Sequence, residues 1–171
     1  PASIMLVAAM NPCPCGNRGS TKDCVCAPRQ LAYYGRKLSG PILDRIDLWI
    51  SMPQVEYKKL ADDTSTTSET STTIRKRVTK ARIQQTKRFG DDATKTNAHM
   101  NLREIKKFCA LDPEEKQIIE NASRRLDLSA RAYHRVLKVA RTIADLAESE
   151  KIKTEHLLEA LQYRPHRESF L

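Results

Sequence analysis

The stretch from Ser129 to Ala147 reads Ser-Ala-Arg-Ala-Tyr-His-Arg-Val-Leu-Lys-Val-Ala-Arg-Thr-Ile-Ala-Asp-Leu-Ala, and it decides the fold of the second part of the chain. Ser129 is of a type that often caps a helix N-terminus, so the predicted helix covers residues 130–148. Its apolar side chains recur at helical period and share one face. They are Ala132, Tyr133, Val136, Leu137, Ala140, Ile143, Ala144 and Ala147. A helix with such a stripe buries it against other helices, which indicates a bundle.

Helices on both sides complete the predicted bundle. A short helix is predicted near 102–109. Asp112-Pro-Glu-Glu then has a cap residue, a first-position proline and an acid three residues after the cap, which is typical of a helix start. This helix is predicted to end near Leu126, with Ile118, Ile119 and Ala122 inward. Thr154 is predicted to cap a last helix that ends near Tyr163.

The first part of the chain, residues 1–62, has the pattern of an α/β layer. Ser3–Met10 is a continuous apolar run of strand length, and Ile46–Met52 predicts a second strand. Between them lie a loop rich in Cys, Pro and Gly and a short predicted helix from Gln30 to Leu38. Residues 63–73 are rich in Ser and Thr and predict a mobile linker. The predicted fold is therefore an α/β remnant followed by an all-α domain, residues 74–171, and is mainly helical overall.

Charge and composition narrow the class of protein. The net charge of +9 favours an anionic partner, either nucleic acid or nucleotide. No apolar run is long enough for a membrane span, and no signal-peptide pattern begins the chain. We therefore expect a cytoplasmic protein whose five cysteines are reduced. The start at Pro1, directly before an apolar run, suggests a piece of a longer protein.

Arg45 lies between two aspartates, in Leu43-Asp-Arg-Ile-Asp-Leu48. An arginine beside the start of a predicted strand is well held and keeps its charge, which suits contact with a phosphate on another molecule. The alternative is a surface arginine paired with Asp44 or Asp47, an interaction of little energetic value.

Four segments, in this order, resemble ComM/YifB-type members of the magnesium-chelatase-like AAA+ ATPases. They are Ala-Ala-Met-Asn-Pro-Cys-Pro-Cys-Gly from residue 8, Leu-Ser-Gly-Pro-Ile-Leu-Asp-Arg-Ile-Asp-Leu from residue 38, Asn97-Ala-His-Met, and the helix that follows Ser129. The resemblance implies an ATP- and Mg²⁺-dependent motor for DNA branch migration, with branched or single-stranded DNA as partner. It also implies a ring, taken as a hexamer, in which residues 1–62 end the αβα core and residues 74–171 form the helical lid.

The resemblance also implies roles for three residues. Arg45 would be the arginine finger that reaches a neighbouring subunit's nucleotide. Arg131 would be the sensor-2 arginine and Asn11 the sensor-1 residue, both near their own subunit's nucleotide. The alternatives are an exposed arginine for Arg131 and an ordinary turn residue for Asn11. The sequence contains no Gly-x-x-x-x-Gly-Lys-Ser/Thr loop and no acidic magnesium-binding pair, so the chain alone is expected not to hydrolyse ATP.

Four cysteines form two Cys-x-Cys pairs in one loop: Cys13, Cys15, Cys24 and Cys26. Four thiolates suit a closed tetrahedral zinc site, although the usual spacing within a pair is wider. The sequence thus favours a structural zinc knuckle, with four free thiols or disulfides formed during handling as the alternative. Cys109 is predicted to lie in the helical core.

Several features leave other functions open. Residues 74–89 contain seven basic residues and no acid, which suits contact with DNA phosphates or simply a solvated helix face. His134 and His156 are predicted on helix surfaces. One rival function is the ATPase subunit of magnesium chelatase, which inserts Mg²⁺ into a porphyrin. Another is a non-enzymatic DNA-binding module with a zinc knuckle.

Overall fold

The computed structural model describes residues 4–37, 39–52, 69–90, 92 and 94–165. In these ranges the chain forms seven α-helices and one short 3-10 helix, and no strand. They are α1 (Pro28–Arg36), α2 (Gly40–Leu43), α3 (Ser71–Phe89), the 3-10 helix (Asn97–His99), α4 (Leu102–Phe108), α5 (Pro113–Arg125), α6 (Ala130–Leu146) and α7 (Thr154–Gln162). The mainly helical prediction is confirmed. No helix in these ranges combines the length and the apolar composition that a bilayer crossing requires.

Helix α6 is the centre of the helical part. It packs against α7, α3, α4 and the 3-10 helix, and α7 also packs against α5. The predicted apolar stripe supplies much of the core, although Ala147 is exposed because α6 ends at Leu146. The core consists of Met100, Ile105, Cys109, Leu111, Ile119, Val136, Leu137, Ala140, Ala144, Ile152, Leu157 and Ala160. The placement of Cys109 in the core is thereby confirmed.

Helix starts follow the expected chemistry with three differences, the first of which is that Asp112 is the N-cap residue of α5 but makes no side-chain cap hydrogen bond. Ser129 Oγ accepts the backbone N–H of Ala132 at 3.1 Å, as a cap residue does. Helix α3 begins earlier than predicted because Thr70 caps it, accepting the N–H of Thr73 at 3.2 Å. The prediction of Thr154 as a cap is wrong, since the N-cap residue is Lys153. The Thr154 hydroxyl donates instead to Glu115 Oε1 at 3.1 Å and so joins α7 to α5.

Buried polar groups are the main feature of the core that periodicity missed. The carboxylate of Asp145 accepts both terminal nitrogens of Arg88 at 2.5 and 2.7 Å and the side-chain amide of Asn97 at 2.8 Å. Arg141 Nε also donates to Asp145 at 3.1 Å, and its other nitrogens donate to backbone oxygens of Ser149 and Glu150. These bonds tie α3, the 3-10 helix and α6 together.

The prediction of a surface position for His156 is wrong. Its side chain is 3% exposed, and Nδ1 accepts the backbone N–H of Lys153 at 3.1 Å. The ring therefore accepts a backbone N–H at the start of α7, a group that has no acceptor within the helix itself.

The two predicted strands are not found in the described residues. Residues 4–10 have no regular structure, and Ile4, Met5, Leu6 and Val7 are 72–90% exposed. A strand needs a paired neighbour for its backbone hydrogen bonds, and the described ranges provide none. Ile46 and Trp49 contact the helical part instead: Arg164 Nη1 donates to Ile46 O at 3.0 Å, and Trp49 N–H donates to Tyr163 O at 3.0 Å. Residues 53–68, which include most of the predicted linker, lie outside the described residues.

Candidate functional site

The segment from Gly40 to Ile50, here called the finger segment, presents Arg45 at the surface. Arg45 follows the short helix α2, and its Nη1 donates to Pro41 O at 2.8 Å. The two flanking aspartates have other partners: Asp44 Oδ2 accepts Ser129 Oγ at 2.8 Å, and Asp47 is bonded to Arg135. Among the described residues neither aspartate pairs with Arg45, so most of its guanidinium donors are open to an incoming anion.

Arg131 lies at the same edge of the molecule. It is exposed in the first turn of α6, and no side-chain partner is found for it in the described ranges. A cation near a helix N-terminus is unfavourable by about 0.3–1 kcal/mol, a cost that a bound anion would offset. Asp44 is next to Arg45 in the sequence. It contacts Ser129, which caps the helix that carries Arg131. The structure thus brings the segments of two of the three predicted nucleotide-contacting residues together.

Asn11 belongs to a different neighbourhood. It is exposed in an irregular segment, and its backbone oxygen accepts Tyr34 Oη at 3.0 Å. Within the described ranges, no hydrogen bond joins it to Arg45 or Arg131. Its backbone is linked to α1, and it lies two residues before Cys13.

The four cysteines of the loop converge. Cys13 Sγ lies 3.4 Å from Cys15 Sγ and 3.7 Å from Cys24 Sγ, and all four sulfur atoms lie within 4.8 Å of one another. Four thiolates around a zinc ion with bonds of about 2.3 Å would have their sulfur atoms about 3.8 Å apart. The separations are much longer than a disulfide bond of about 2.05 Å, and all four thiols are free. The donor set and its spacing therefore fit one tetrahedral soft metal ion.

The pKa values of two thiols, Cys13 and Cys15, are lowered, whereas those of Cys24 and Cys26 are raised. The N–H of Arg18 donates to Cys13 Sγ, and the N–H of Cys15 donates to Cys26 Sγ, both at 3.4 Å. Backbone N–H bonds, that of Asn17 first, lower the pKa of Cys15 to about 6, whereas burial raises the pKa of Cys26 to about 12. Gly16 and Gly19 have φ of +81° and +77°, which lets the loop turn back on itself.

The basic helix α3 is partly committed to structure. Arg88 belongs to the buried network, Lys80 is paired with Glu148, and Arg77 is paired with Glu69. Arg75, Lys76 and Lys87 are exposed.

Sequence reasoning missed the pairs of residues that hold the finger segment in place. Ser129 and Asp44 are 85 positions apart, and Arg135 and Asp47 are 88 apart. No local pattern could indicate them, because neither partner lies on a shared turn or helix face.

Comparison with known proteins gives the family. Residues 68–164 match the family described as magnesium chelatase, subunit ChlI C-terminal, and residues 1–60 match the one described as magnesium chelatase, subunit ChlI. The chain belongs to the family described as magnesium chelatase, subunit ChlI C-terminal, whose match covers more than half of it. The family match to residues 1–60 includes Asn11, Arg45 and the four clustered cysteines, and the match to residues 68–164 includes Arg131.

Individual members of this family are similar along almost the whole chain. Competence protein ComM of Haemophilus influenzae is 44% identical over 164 residues, which cover 96% of this chain and 31% of that protein. The proteins named YifB of Escherichia coli and Salmonella typhimurium are 42% and 41% identical over the same coverage. This supports a ComM/YifB-type sequence. The chain spans about a third of the length of these relatives.

Proposed function

We propose that the full-length protein carrying this chain is an ATP-driven AAA+ motor that acts on branched DNA. The observation that carries the proposal is the state of Arg45. It is exposed, and both aspartates beside it are bonded to the helical part instead. An arginine held in this way is positioned to meet the phosphates of another molecule. Similarity to Competence protein ComM, and membership of the magnesium chelatase family, support the choice of motor class.

In this mechanism each arginine of the site has its own anion to bind. Arg45 stabilises the charge that develops on the γ-phosphate held by the neighbouring subunit of a hexameric ring, an effect worth a factor of about 10³ or more in rate. Arg131 binds the γ-phosphate in its own subunit, where the anion also offsets its unfavourable position at the helix start. Asn11 orients the attacking water. ATP with Mg²⁺ supplies the transferable phosphoryl group, and the chain by itself is expected not to hydrolyse it.

Branched DNA is the preferred substrate over a porphyrin for two reasons. Similar relatives include ComM and YifB proteins, the type whose resemblance implies a DNA motor, and the chain has an excess of nine basic residues with exposed cations on α3. A basic surface attracts nucleic acid through its phosphates. The chelatase subunit stays the alternative, and a DNA-binding module without ATPase activity is the third.

The test is ATP turnover by the full-length protein, with and without branched DNA. Stimulation by DNA in the wild type, with a loss of about 10³-fold in Arg45→Ala, is the expected result. Arg103→Ala, which removes an exposed arginine from α4, serves as the matched control and should be unchanged. Turnover indifferent to DNA would favour the chelatase alternative. Full activity of Arg45→Ala would contradict the role of that residue.

We further propose that the cysteine cluster binds one structural zinc ion. Four sulfur ligands leave no open coordination position, so the ion would fold the loop between Asn11 and α1 and would take no part in chemistry. Elemental analysis should find one zinc per chain, and Co²⁺ substitution should give thiolate charge-transfer absorption. Cys24→Ser should abolish stoichiometric binding, whereas Cys109→Ser, outside the cluster, should retain it. A metal-free wild-type protein purified without chelator would contradict the proposal.

A further inference from the structure

The finger segment is attached to the helical part at four successive points. Asp44 accepts the Ser129 hydroxyl, and Asp47 is bonded to Arg135, both partners lying at the start of α6. Two backbone groups complete the attachment at the end of α7. Arg164 Nη1 donates to Ile46 O at 3.0 Å, and Trp49 N–H donates to Tyr163 O at 3.0 Å. Arg45 therefore belongs to a segment that is bound to the lid on both of its sides in sequence.

The partners on α6 lie next to Arg131. Arg135 follows Arg131 by four residues, one helical turn, so the two side chains share a face of α6. The ion pair at Asp47 thus places the finger segment on the helix face that carries the predicted sensor. A small cavity of about 70 Å³ lies at the same junction, lined by Leu43, Asp44, Leu126, Leu128 and Arg164 among others.

The electrostatics of this junction depend on Asp47. Arg164 is 5% exposed, its Nε has no hydrogen-bond partner within the described residues, and Arg135 is also partly buried. Burial lowers the pKa of Arg164, while Asp44 and Asp47 act in the opposite direction. Removal of one aspartate charge would leave two adjacent guanidinium groups, Arg135 and Arg164, with less compensation. The attachment of the segment would then be weakened at one of its four points and strained by the uncompensated guanidinium groups at another.

We propose that the Asp47–Arg135 pair is a latch that makes Arg45 and Arg131 move as one unit. The inference rests on the proposed function and adds a regulatory connection to it. Binding of a γ-phosphate at Arg131 shifts α6, and the latched segment carries Arg45 with it toward the site on the neighbouring subunit. Asp47 and Arg135 are positioning residues, since neither touches the nucleotide. Occupancy of one site thereby controls hydrolysis at the next, and ATP turnover becomes cooperative.

The first test, in the full-length protein, measures whether the finger segment stays docked on the helical part. The Trp49 amide should exchange with deuterium at least about 10-fold faster in Asp47→Asn than in the wild type, because its bond to Tyr163 depends on a docked segment. Asp112→Asn is the matched control, since it neutralises an aspartate in an exposed pair with Lys151. The control should leave Trp49 exchange unchanged. Equal exchange in Asp47→Asn and wild type would overturn the latch.

The second test measures its consequence for turnover. Asp47→Asn should bind ATP with unchanged affinity, since Arg131 is intact, while kcat falls about 10-fold and the Hill coefficient approaches 1. The charge swap Asp47→Arg with Arg135→Asp should restore both values, which a variant that merely loses stability would not do. If Arg45→Ala loses turnover while Asp47→Asn keeps wild-type cooperativity, the latch is wrong and the motor stands. If Arg45→Ala keeps full turnover, the finger role and the latch are both wrong.

Discussion

The helical part of the chain, residues 69–165, and the part that carries the cysteines and the finger, residues 4–52, are held together in different ways. The helical part encloses a core of twelve buried hydrophobic residues around α6. In residues 4–52 only Cys13 is buried among the described positions, and the apolar run Ile4–Val7 is exposed. The first part owes its arrangement to convergent thiols and to its attachment to the helical part.

This difference follows from the kind of backbone hydrogen bonding that each part uses. A helix satisfies its N–H and C=O groups within a few residues, so it needs only one buried face to be stable. A strand satisfies them on another strand, which need not be close in sequence. The helices of residues 69–165 can therefore form a core by packing on one another. The two isolated apolar runs of residues 4–52 cannot.

The largest effect should come from breaking the ionic network of the helical part. Asp145→Ala removes the carboxylate that compensates Arg88 and Arg141, of which Arg141 is 3% exposed. One buried and one partly buried cation left without this carboxylate should lower the free energy of unfolding by about 3–5 kcal/mol. Urea unfolding followed by far-UV circular dichroism measures the loss. Lys151→Ala, which removes one partner of an exposed ion pair, should lower the free energy of unfolding by less than about 1 kcal/mol. A loss below about 1 kcal/mol in Asp145→Ala would mean that the network is not what ties α3 to α6.

A single apolar residue sharpens the comparison between the two parts. Leu157 is fully buried on α7, whereas its neighbour Leu158 is 47% exposed. Leu157→Ala should lower the free energy of unfolding by about 2–5 kcal/mol, and Leu158→Ala by much less. Val7→Ala, in the first part, should have no measurable effect in the same chain. Comparable losses in Leu157→Ala and Val7→Ala would show that the first part has a core of its own.

The smallest expected effect is a pH dependence of stability. It arises from His156, which lies in the helical part. Burial lowers the pKa of His156, so the unfolded chain binds a proton more readily than the folded one. The contribution of neutral His156 to stability is complete above its unfolded-state pKa of about 6.5. It decreases as the pH falls toward the lower pKa of His156 in the folded chain. Protonation also removes the acceptor for the Lys153 N–H. Unfolding measured from pH 7.5 to 5 should therefore show a decline that His156→Gln reduces. An identical decline in the variant would assign the effect to other groups.

Much of the helical part could be predicted because its signals are local. The stripe on α6, the cap at Ser129 and the core position of Cys109 depend on residues within a turn or two of each other. The same holds for the two Cys-x-Cys pairs, which sequence places in one loop. The family could also be recognised, since its segments are contiguous runs. The cap of α7 was assigned one residue too late because Thr154 is a favoured cap type, although its hydroxyl is used in packing.

The sequence by itself determined the described helices other than α2 and the 3-10 helix, which cysteines share a loop and which family the chain joins. The tertiary structure decided which charges meet. Asp145 with Arg88, Asp47 with Arg135 and the buried ring of His156 all depend on how distant segments pack. A local pattern fixes the face on which a side chain lies, because helical geometry is the same everywhere. The partner across an interface is fixed only when burial removes water and leaves a charged group a single set of neighbours.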